Sequence, residues 1–495
     1  MKQSPVKSMF GGIAILSVFL ACSTVTEPAG SQPDGLVMLG RALTLTIGDS
    51  TSIGLTLTQG LDVVERTAAT GTGPSWRDVP PTAWRSSDTN VATVRADGLV
   101  TARREGSAWI LASRALLTDS TSIVVSSSRA VSAGVVAVAI GSNQTCALDE
   151  GRSAWCWGSL WNASTGTGVR QRYAVLVSPT PVATTERFSE ISTGTDHSCG
   201  LTATGDVLCW GDNRFNQVGT PNQFEARPTR VALPTAAVSV RSGGDASCAL
   251  LRDATIRCWG VGFDSSVVYR TNSTAQIVEL ALGARHACAR SAAGELWCWG
   301  DNSFGQLGVG DRESGTQPRR LLSTFHAVAV TAGGDYSCAL DDQGSAWCWG
   351  TGLSGQLGQG SVTQTRVPNR VMTSQAFSQI TASGGHTCAL TVLGEVYCWG
   401  GNTYGALGTG APSSSSPQFS ELVATVPVRA LTSERYESVV AGGAVTCAVA
   451  RGTRRLDCWG RNALGQLGVG EISWRQGLLY SLRYVPSAVL SFRRR

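Results

Sequence analysis

The sequence predicts an all-β protein in which a small antiparallel β-sandwich precedes a β-propeller of seven repeats. Fourteen of the fifteen cysteines form seven pairs, six of them ten positions apart and the last eleven, and Trp-Gly follows the second cysteine of every pair. Glycine is abundant at 58 residues, and only 15% of residues are charged, which favours turn-rich β structure over helices. A repeat of about 50 residues built from short strands is typical of a propeller. The pairs are Cys146/Cys156, Cys199/Cys209, Cys248/Cys258, Cys288/Cys298, Cys338/Cys348, Cys388/Cys398 and Cys447/Cys458.

The first 21 residues are predicted to be a lipoprotein-type signal peptide. Lys2 and Lys7 precede an apolar stretch over residues 9–21, which is too short to span a bilayer. Phe19-Leu20-Ala21-Cys22 ends this stretch and resembles a bacterial lipobox, which predicts lipidation of Cys22. An ordinary secretory signal with a chance cysteine is the alternative, and both predict export to the bacterial cell envelope. Residues 22–36 are polar and contain Pro and Gly, as expected of a flexible tether.

Export predicts that the paired cysteines form disulfides. An even number of cysteines at fixed local spacing is typical of disulfides in an oxidising compartment. A zinc site needs four ligands close together, whereas these pairs come singly and the chain has only four histidines. Each bridge is therefore expected to lie within one repeat, between neighbouring strands.

The charge balance argues against a nucleic-acid partner. The formal net charge is +5, and both lysines lie in the signal segment, so the remainder is close to neutral. We find no G-x-S-x-G, H-E-x-x-H, calcium-loop or Walker sequence. These observations predict a protein without a cofactor, a metal or a catalytic site, held at a membrane only through its N-terminal lipid.

Residues 37–128 are predicted to form the sandwich. Alternating segments at 42–47, 91–94, 99–102, 108–112 and 121–125 are typical of short strands, and turn residues separate them. Trp84-Arg-Ser-Ser-Asp-Thr-Asn-Val-Ala-Thr-Val94, followed by Gly98-Leu-Val-Thr-Ala102, resembles the bacterial immunoglobulin-like domain of group 2. The resemblance implies an Ig-like spacer or adhesion module at the cell surface.

Residues 135–495 contain the repeats, of which the fifth is the cleanest. It has an apolar strand, Gly-Gly-Asp-Tyr-Ser-Cys-Ala-Leu340, Ala-Trp-Cys-Trp-Gly350 and then Gly355-Gln-Leu-Gly358. This pattern closely resembles the regulator of chromosome condensation repeat, and the resemblance implies a seven-bladed propeller with one repeat's length of chain in each blade. The founding member of that family is a nucleotide-exchange factor for a nuclear GTPase. We match none of its functional residues here, so exchange activity is the weakest of the alternatives.

Two further features of the repeats carry structural predictions. The last repeat has no following apolar strand, so the strand Val135-Val-Ala-Val-Ala-Ile-Gly141 is predicted to join the seventh blade and close the ring. The tryptophan of each Cys-Trp-Gly is predicted to pack between blades. His197, His286 and His386 share one repeat register and are predicted to be structural, whereas His326 is predicted to lie at the surface.

Function is predicted at positions where the repeats differ. The first and sixth repeats carry insertions over 161–190 and 411–437, and the third lacks Gly-Gln-Leu-Gly. The candidate interface residues are Trp161, Tyr173, Tyr436, Trp474 and Tyr480, with drift in unconstrained loops as the alternative. We therefore predict a monomeric, non-enzymatic scaffold that binds a protein or glycan ligand on one propeller face. The alternatives are an inhibitor of a secreted enzyme and a propeller enzyme such as a lyase or hydrolase.

Overall fold

The computed structural model describes residues 36–38, 43–47, 55–56, 63–67, 75–78, 83–94, 99–103, 106–114, 117–127, 134–169, 175–321, 323–410, 422–469 and 482–489. Among them, no helix is long and apolar enough to cross a membrane.

The N-terminal part of the chain is built of strands in three sheets. Their orders are β1-β4-β5, β2-β10-β9-β6 and β3-β8-β7, from the strands β1 (Leu36–Met38), β2 (Leu43–Ile47), β3 (Leu55–Thr56), β4 (Val63–Thr67), β5 (Ser75–Asp78), β6 (Ala83–Ser86), β7 (Ala92–Val94), β8 (Leu99–Ala102), β9 (Gly106–Arg114) and β10 (Leu117–Ser127). All pairings are antiparallel except that of β2 with β10, where Leu43 lies opposite Ile123. The five predicted strands are present. The assignment of this part to the Ig-like class stays a prediction.

Seven four-stranded antiparallel sheets, each continuous in sequence, form the propeller. The inner strands are β11 (Val135–Ile140), β15 (Phe188–Thr193), β19 (Ala237–Gly243), β23 (Ile277–Leu282), β27 (Ala327–Ala332), β31 (Phe377–Ser383) and β35 (Tyr436–Gly442). The second strands are β12 (Gln144–Asp149), β16 (His197–Thr202), β20 (Ala246–Leu251), β24 (His286–Ser291), β28 (Tyr336–Asp341), β32 (His386–Thr391) and β36 (Val445–Ala450). The third strands are β13 (Ala154–Ser159), β17 (Val207–Asp212), β21 (Ile256–Gly260), β25 (Leu296–Gly300), β29 (Ala346–Gly350), β33 (Val396–Gly401) and β37 (Leu456–Arg461). The outer strands are β14 (Val175–Pro181), β18 (Phe224–Arg230), β22 (Val268–Tyr269), β26 (Gly315–Arg320), β30 (Thr365–Arg370), β34 (Val423–Arg429) and β38 (Leu482–Ala488).

A disulfide joins the second and third strands of every blade, as the sequence predicts. The two cysteines lie directly opposite each other, as Cys338 and Cys348 do in blade five, with their Cα atoms 4.1 Å apart. Such a short separation is typical of the non-hydrogen-bonded pairs of an antiparallel ladder. The other bridges are Cys146–Cys156, Cys199–Cys209, Cys248–Cys258, Cys288–Cys298, Cys388–Cys398 and Cys447–Cys458. All fourteen cysteines are buried.

The ring closes without strand exchange, so the prediction that the strand at 135–141 joins blade seven is wrong. That strand, β11, is the inner strand of blade one, and β38 completes blade seven. The amide of Val135 donates to the carbonyl of Arg454 in the turn of blade seven at 3.0 Å. The same bond joins other neighbouring blades, for example from Phe377 to the carbonyl of Gly344 at 2.8 Å. The ends of the ring therefore meet through an ordinary blade interface.

The repeated tryptophans pack between blades, as predicted, and most of them are hydrogen-bonded there. In blade five, Trp349 is fully buried and its Nε1 donates to the carbonyl of Gln306, in the Gly-Gln-Leu-Gly turn of blade four, at 2.9 Å. The equivalent bonds are Trp157 to Gln466, Trp259 to Gln217, Trp399 to Gln356 and Trp459 to Ala406. Among the described residues, Nε1 of Trp210 and of Trp299 has no partner. These two tryptophans pack against blades one and three, which have neither Gly-Gln-Leu-Gly nor the related Asn-Gln-Val-Gly and Gly-Ala-Leu-Gly of blades two and six.

This difference gives a matched pair of variants. Both Trp349→Phe and Trp299→Phe remove an indole from a fully buried site, but only the first removes a hydrogen bond. We expect Trp349→Phe to lower the free energy of unfolding by about 1 kcal/mol more than Trp299→Phe does. Urea unfolding followed by circular dichroism measures the difference. Equal losses would show that the tryptophans act through packing alone.

Candidate functional site

The loops at one end of the central channel form the candidate site. In each blade, the loop between the first two strands meets the loop between the last two. In blade two, the amide of Asp212 donates to the carbonyl of Asp196 at 2.9 Å, and in blade four Asp301 donates in the same way to Arg285 at 3.0 Å. We call the surface made by these two sets of loops the loop face. The backbone hydrogen bonds of these loops repeat from blade to blade, whereas their side chains differ.

Carboxylates of blades two and three are concentrated on the loop face. Asp196 accepts a hydrogen bond from Asn143 Nδ2 at 2.8 Å, and its pKa is raised by burial and by the charges of Asp212 and Asp245. The pKa of Asp245 is raised by burial and by Asp212. Asp212 is nearly buried and forms a bidentate pair with Arg214, at 2.9 and 2.8 Å. Burial is the first cause of both raised pKa values, and one guanidinium, that of Arg214, lies among these three carboxylates.

The acidic region continues onto blades four and five. Arg285 lies near both Asp245 and Asp335, since its charge lowers the pKa of each. The pKa of Asp335 is nevertheless raised, first by burial and then by Asp301. Blades two to five thus contribute five carboxylates and two guanidinium groups, which we call the acidic arc: Asp196, Asp212, Asp245, Asp301, Asp335, Arg214 and Arg285. At the corresponding position of the first loop, blades six and seven have Gly385 and Ala444.

Apolar side chains lie exposed on the same loops. Phe215 is 53% exposed and Leu353 is 62% exposed, each in the turn that follows Cys-Trp-Gly. Trp161 occupies the corresponding loop of blade one and is 38% exposed. In blade six, Tyr404 is half-buried beneath Arg461, whose guanidinium carbon lies 5.7 Å from the ring centroid. Aromatic side chains beside charged groups are typical of the centre of protein interfaces.

The central channel has a volume of about 710 Å³ and is lined by the inner strands of all seven blades. The charged side chains that line the channel are unevenly distributed among the blades. Glu190 of blade two pairs with Arg241 of blade three and accepts a hydrogen bond from the amide of Val240 at 2.8 Å. Gln379 makes the equivalent contact in blade six, where its Oε1 accepts from the amide of Val439 at 3.0 Å. Both side chains therefore join neighbouring blades.

The predicted interface residues have different outcomes. Trp161 is exposed on the loop face, as the prediction requires. Tyr436 is wrong as an interface residue: it is fully buried at the start of β35, and its hydroxyl donates to Asp457 Oδ2 at 3.1 Å. Burial raises the pKa of this hydroxyl. Tyr173, Trp474, Tyr480 and the predicted lipidation site Cys22 lie outside the described residues.

The three histidines of the shared register are structural, as predicted. His197, His286 and His386 are buried, and the Nε2 of each lies 2.9 Å from a hydroxyl of the next blade, on Ser247, Ser337 and Thr446 respectively. Those hydroxyls donate onward to turn carbonyls, as Ser337 does to Gln306 at 2.9 Å, so the imidazole is the donor. His326 is exposed, as predicted.

The loop face holds acids but no arrangement suited to a metal. Among the described residues, no group of three or more His, Cys, Asp or Glu side chains could hold a metal ion. The clustered acids Asp196, Asp212 and Asp245 come from two adjacent blades, and the nearby His197 faces the blade interface. This chemistry suits the binding of cationic groups. The sequence analysis missed these acids. Asp196, Asp245 and Asp335 each stand directly before the second strand of their blade, and the residue type at this place varies between repeats whose flanking residues are similar.

The blades of the propeller share one kind of repeat. Its marks are the disulfide between the second and third strands, Cys-Trp-Gly in the third strand and, in several blades, the Gly-Gln-Leu-Gly turn. Models of the regulator of chromosome condensation (RCC1) repeat match residues 204–250, 293–340, 343–390 and 394–449, and a second model matches 188–217, 277–306, 327–356 and 377–406. The matched RCC1 repeats lie in blades two to seven of the propeller.

Among curated proteins, the chain is similar to several RCC1-repeat proteins. It is 28% identical to the ultraviolet-B receptor UVR8 of Arabidopsis thaliana over 38% of this chain and 35% of that protein. It is 29% identical to human RCC1 domain-containing protein 1 over 37% of this chain and 48% of that protein. The matched region thus spans between a third and a half of these relatives.

Solved structures show the same fold. Yeast RCC1 (Prp20), solved bound to Kap60, superposes with a TM-score of 0.60 at 20% identity, covering 72% of this chain and 85% of that chain. Human WBSCR16 superposes with a TM-score of 0.58 at 22% identity, covering 67% and 92%. A further structure of Prp20p from Saccharomyces cerevisiae is described with its binding to Gsp1p and histones.

Proposed function

We propose that the propeller is a non-enzymatic scaffold whose loop face binds a basic segment of a partner protein. The acidic arc carries this proposal, because five carboxylates and two guanidinium groups leave an excess of negative charge on blades two to five. Exposed Phe215 and Leu353 supply apolar contacts on the same loops. Structural relatives of this fold bind proteins, as the complex of Prp20 with Kap60 illustrates.

Charge-neutralising variants test the loop face. The double variant Asp245→Asn/Asp335→Asn should weaken binding of a labelled peptide of alternating Arg and Gly about tenfold, because two of the five carboxylates of the acidic arc are lost. Binding is measured by fluorescence anisotropy, and it should weaken as salt is raised, since exposed charges are screened.

Asp253→Asn is the matched control. Asp253 is a fully exposed carboxylate in the turn between the second and third strands of blade three, outside the acidic arc. This variant should leave peptide binding unchanged. An equal loss in the control, or no loss in the double variant, would contradict a specific role for the arc.

We also propose that the chain is exported and anchored to the bacterial cell envelope through lipid on Cys22, with residues 22–36 as a tether. The signal-like segment and the seven buried disulfides support this proposal, because such bridges persist in oxidising compartments. Replacement of Cys22 by Ala should release the chain from the membrane fraction while its fourteen blade cysteines stay oxidised. Recovery of the natural chain from the cytoplasm with free thiols would contradict export.

A further inference from the structure

Neighbouring blades of the propeller are joined by up to four recurring hydrogen bonds, and the interface between blades four and five has all of them. The Nε2 of His286 in blade four donates to the hydroxyl of Ser337 in blade five at 2.9 Å, and that hydroxyl donates to the carbonyl of Gln306 at 2.9 Å. The indole of Trp349 donates to the same carbonyl at 2.9 Å. The first amide of β27 donates to the carbonyl of Gly294, in a turn of blade four, at 3.1 Å.

The interface between blades three and four, which we call the seam, has none of these four bonds in the described structure. Ala246 stands in place of the histidine and Ala287 in place of the hydroxyl residue, so neither side chain has a group to bond with. Nε1 of Trp299 has no acceptor, because blade three has no turn of the Gly-Gln-Leu-Gly kind. The amide of Ile277, the first residue of β23, makes no bond to the turn of blade three.

In the described part of the chain, each of the other six interfaces keeps three or all four of the bonds. Between blades one and two, Gln144 takes the place of the histidine and donates to the carbonyl of His197 at 3.0 Å. Between blades seven and one, Thr145 and Trp157 both donate to the carbonyl of Gln466 at 2.8 Å. The ring is therefore well bonded where its two ends meet, whereas the chain is continuous across the unbonded seam.

Apolar contacts hold the two sides of the seam together. Leu280 and Leu282 of blade four pack in one buried cluster with Leu250 of blade three. Tyr269 of blade three stacks on Trp299 of blade four, with ring centroids 5.7 Å apart and an interplanar angle of 26°. Apolar packing is not directional, so it fixes the two blades less strictly than the hydrogen bonds of the other interfaces do.

The seam is expected to open more easily than any other interface of the ring. One buried hydrogen bond changes an equilibrium about fivefold, so the lack of three favours opening about a hundredfold. Opening also hydrates the indole N–H of Trp299, which has no acceptor in the closed ring. Arg285 and Asp245 attract each other across the seam on the loop face, but surface charges of this kind contribute little.

We propose that the ring opens reversibly at the seam while the other six interfaces stay closed. The blades then form an open ring that runs from blade four through blades seven and one to blade three. The connection over residues 270–276 keeps the two sides of the opening close together. Local opening of this kind starts at the least stable part of a fold. The proposal concerns a movement of the ring, so it does not depend on the function proposed for the loop face.

Exchange of indole N–H hydrogens measures the opening and offers a matched control. Trp299 and Trp210 are both fully buried, and the Nε1 of each has no partner in the described structure, but Trp210 lies at the bonded interface of blades one and two. In the isotope-labelled full-length chain transferred to heavy water, NMR should show exchange about a hundredfold faster at Trp299 than at Trp210. Trp299→Phe and Trp210→Phe identify the two signals. Equal rates, or fastest exchange at Trp157 where the ends of the ring meet, would overturn the proposal.

Two packing variants distinguish local opening from unfolding of the whole propeller. Leu280→Ala removes apolar contacts at the seam, whereas Val330→Ala removes them at the equivalent position of β27, between blades four and five. Leu280→Ala should speed exchange at Trp299 at least about tenfold. Val330→Ala should leave that rate unchanged, because opening of the seam does not break the contacts of Val330. If both variants speed exchange at Trp299 equally, global unfolding exposes this indole and the proposal is wrong.

Discussion

A chain refolded with its fourteen blade cysteines reduced is expected not to regain the propeller. Each bridge closes a loop of ten or eleven residues, which in the chain-entropy model stabilises the fold by about 2–3 kcal/mol. The bridges lie in different blades, so their effects should be nearly additive. Seven of them would contribute roughly 15–20 kcal/mol, which exceeds the net stability of about 5–15 kcal/mol that is usual for a folded protein.

The native chain should nevertheless resist reductant. Every bridge is buried, so dithiothreitol reaches it only after the blade opens. We expect the chain in dithiothreitol without denaturant to keep its circular dichroism spectrum far longer than a chain treated in urea. Dilution from urea with and without dithiothreitol, followed by circular dichroism and size exclusion, measures recovery.

A single-bridge variant is the control for this experiment. Cys338→Ala/Cys348→Ala removes only the bridge of blade five and should cost about 2–3 kcal/mol while the propeller still folds. If the fully reduced chain refolded to a cooperative structure with native melting behaviour, the bridges would be dispensable and the entropic account wrong.

The repeats let the sequence predict the blades, but not how they join. Paired cysteines predicted adjacent strands because two residues ten apart around a short turn must face each other. The closure of the ring was predicted wrongly because each repeat starts with an apolar strand and ends with a less regular outer strand. The outer strand of blade seven, β38, carries Val485-Pro486-Ser487, which matches Val367-Pro368-Asn369 of blade five. That likeness assigns β38 to blade seven, and β11 then remains in blade one.

The candidate site was harder to predict, for a physical reason. Tyr436 lies at the end of an insertion, which suggested exposure, yet it begins an inner strand at the position that Phe188 and Phe377 occupy in blades two and six. These three rings are buried because that position faces the core of the preceding blade. Asp196 and Asp245 come together through the ring geometry, which a pattern within one repeat does not contain.

Mild acid is expected to destabilise the propeller through its three buried histidines. The pKa of His197, of His286 and of His386 is lowered to about 4 by burial. In the unfolded chain these groups titrate near 6.5. Because the unfolded state then binds more protons, the stabilisation is fully present above pH 6.5 and is lost as the pH falls from 6.5 towards 4.

The geometry explains why protonation is costly. Each Nε2–H already donates across a blade interface, so an added proton would lie on Nδ1. Nδ1 of His197 and of His286 is buried and has no partner in the described structure. A charged ring would thus leave an unsatisfied donor between blades. The charge of Asp212 opposes the shift at His197, and that of Asp301 opposes it at His286, but burial outweighs both.

At pH 5.5 each histidine should cost about 1.4 kcal/mol relative to pH 7.5, or roughly 4 kcal/mol for the three. Urea unfolding at the two pH values measures this loss.

The control is the triple variant His197→Gln/His286→Gln/His386→Gln, because Gln144 occupies the same register in blade one and donates across the interface to the carbonyl of His197 at 3.0 Å. The variant should lose little stability between these pH values, since ordinary carboxylates titrate below this range and acids with a raised pKa, such as Asp196, favour the folded state as the pH falls. If it lost as much as the natural chain, the acid sensitivity would arise elsewhere. A smaller loss in the variant would instead show that every second blade interface, in blades two, four and six, depends on a neutral imidazole.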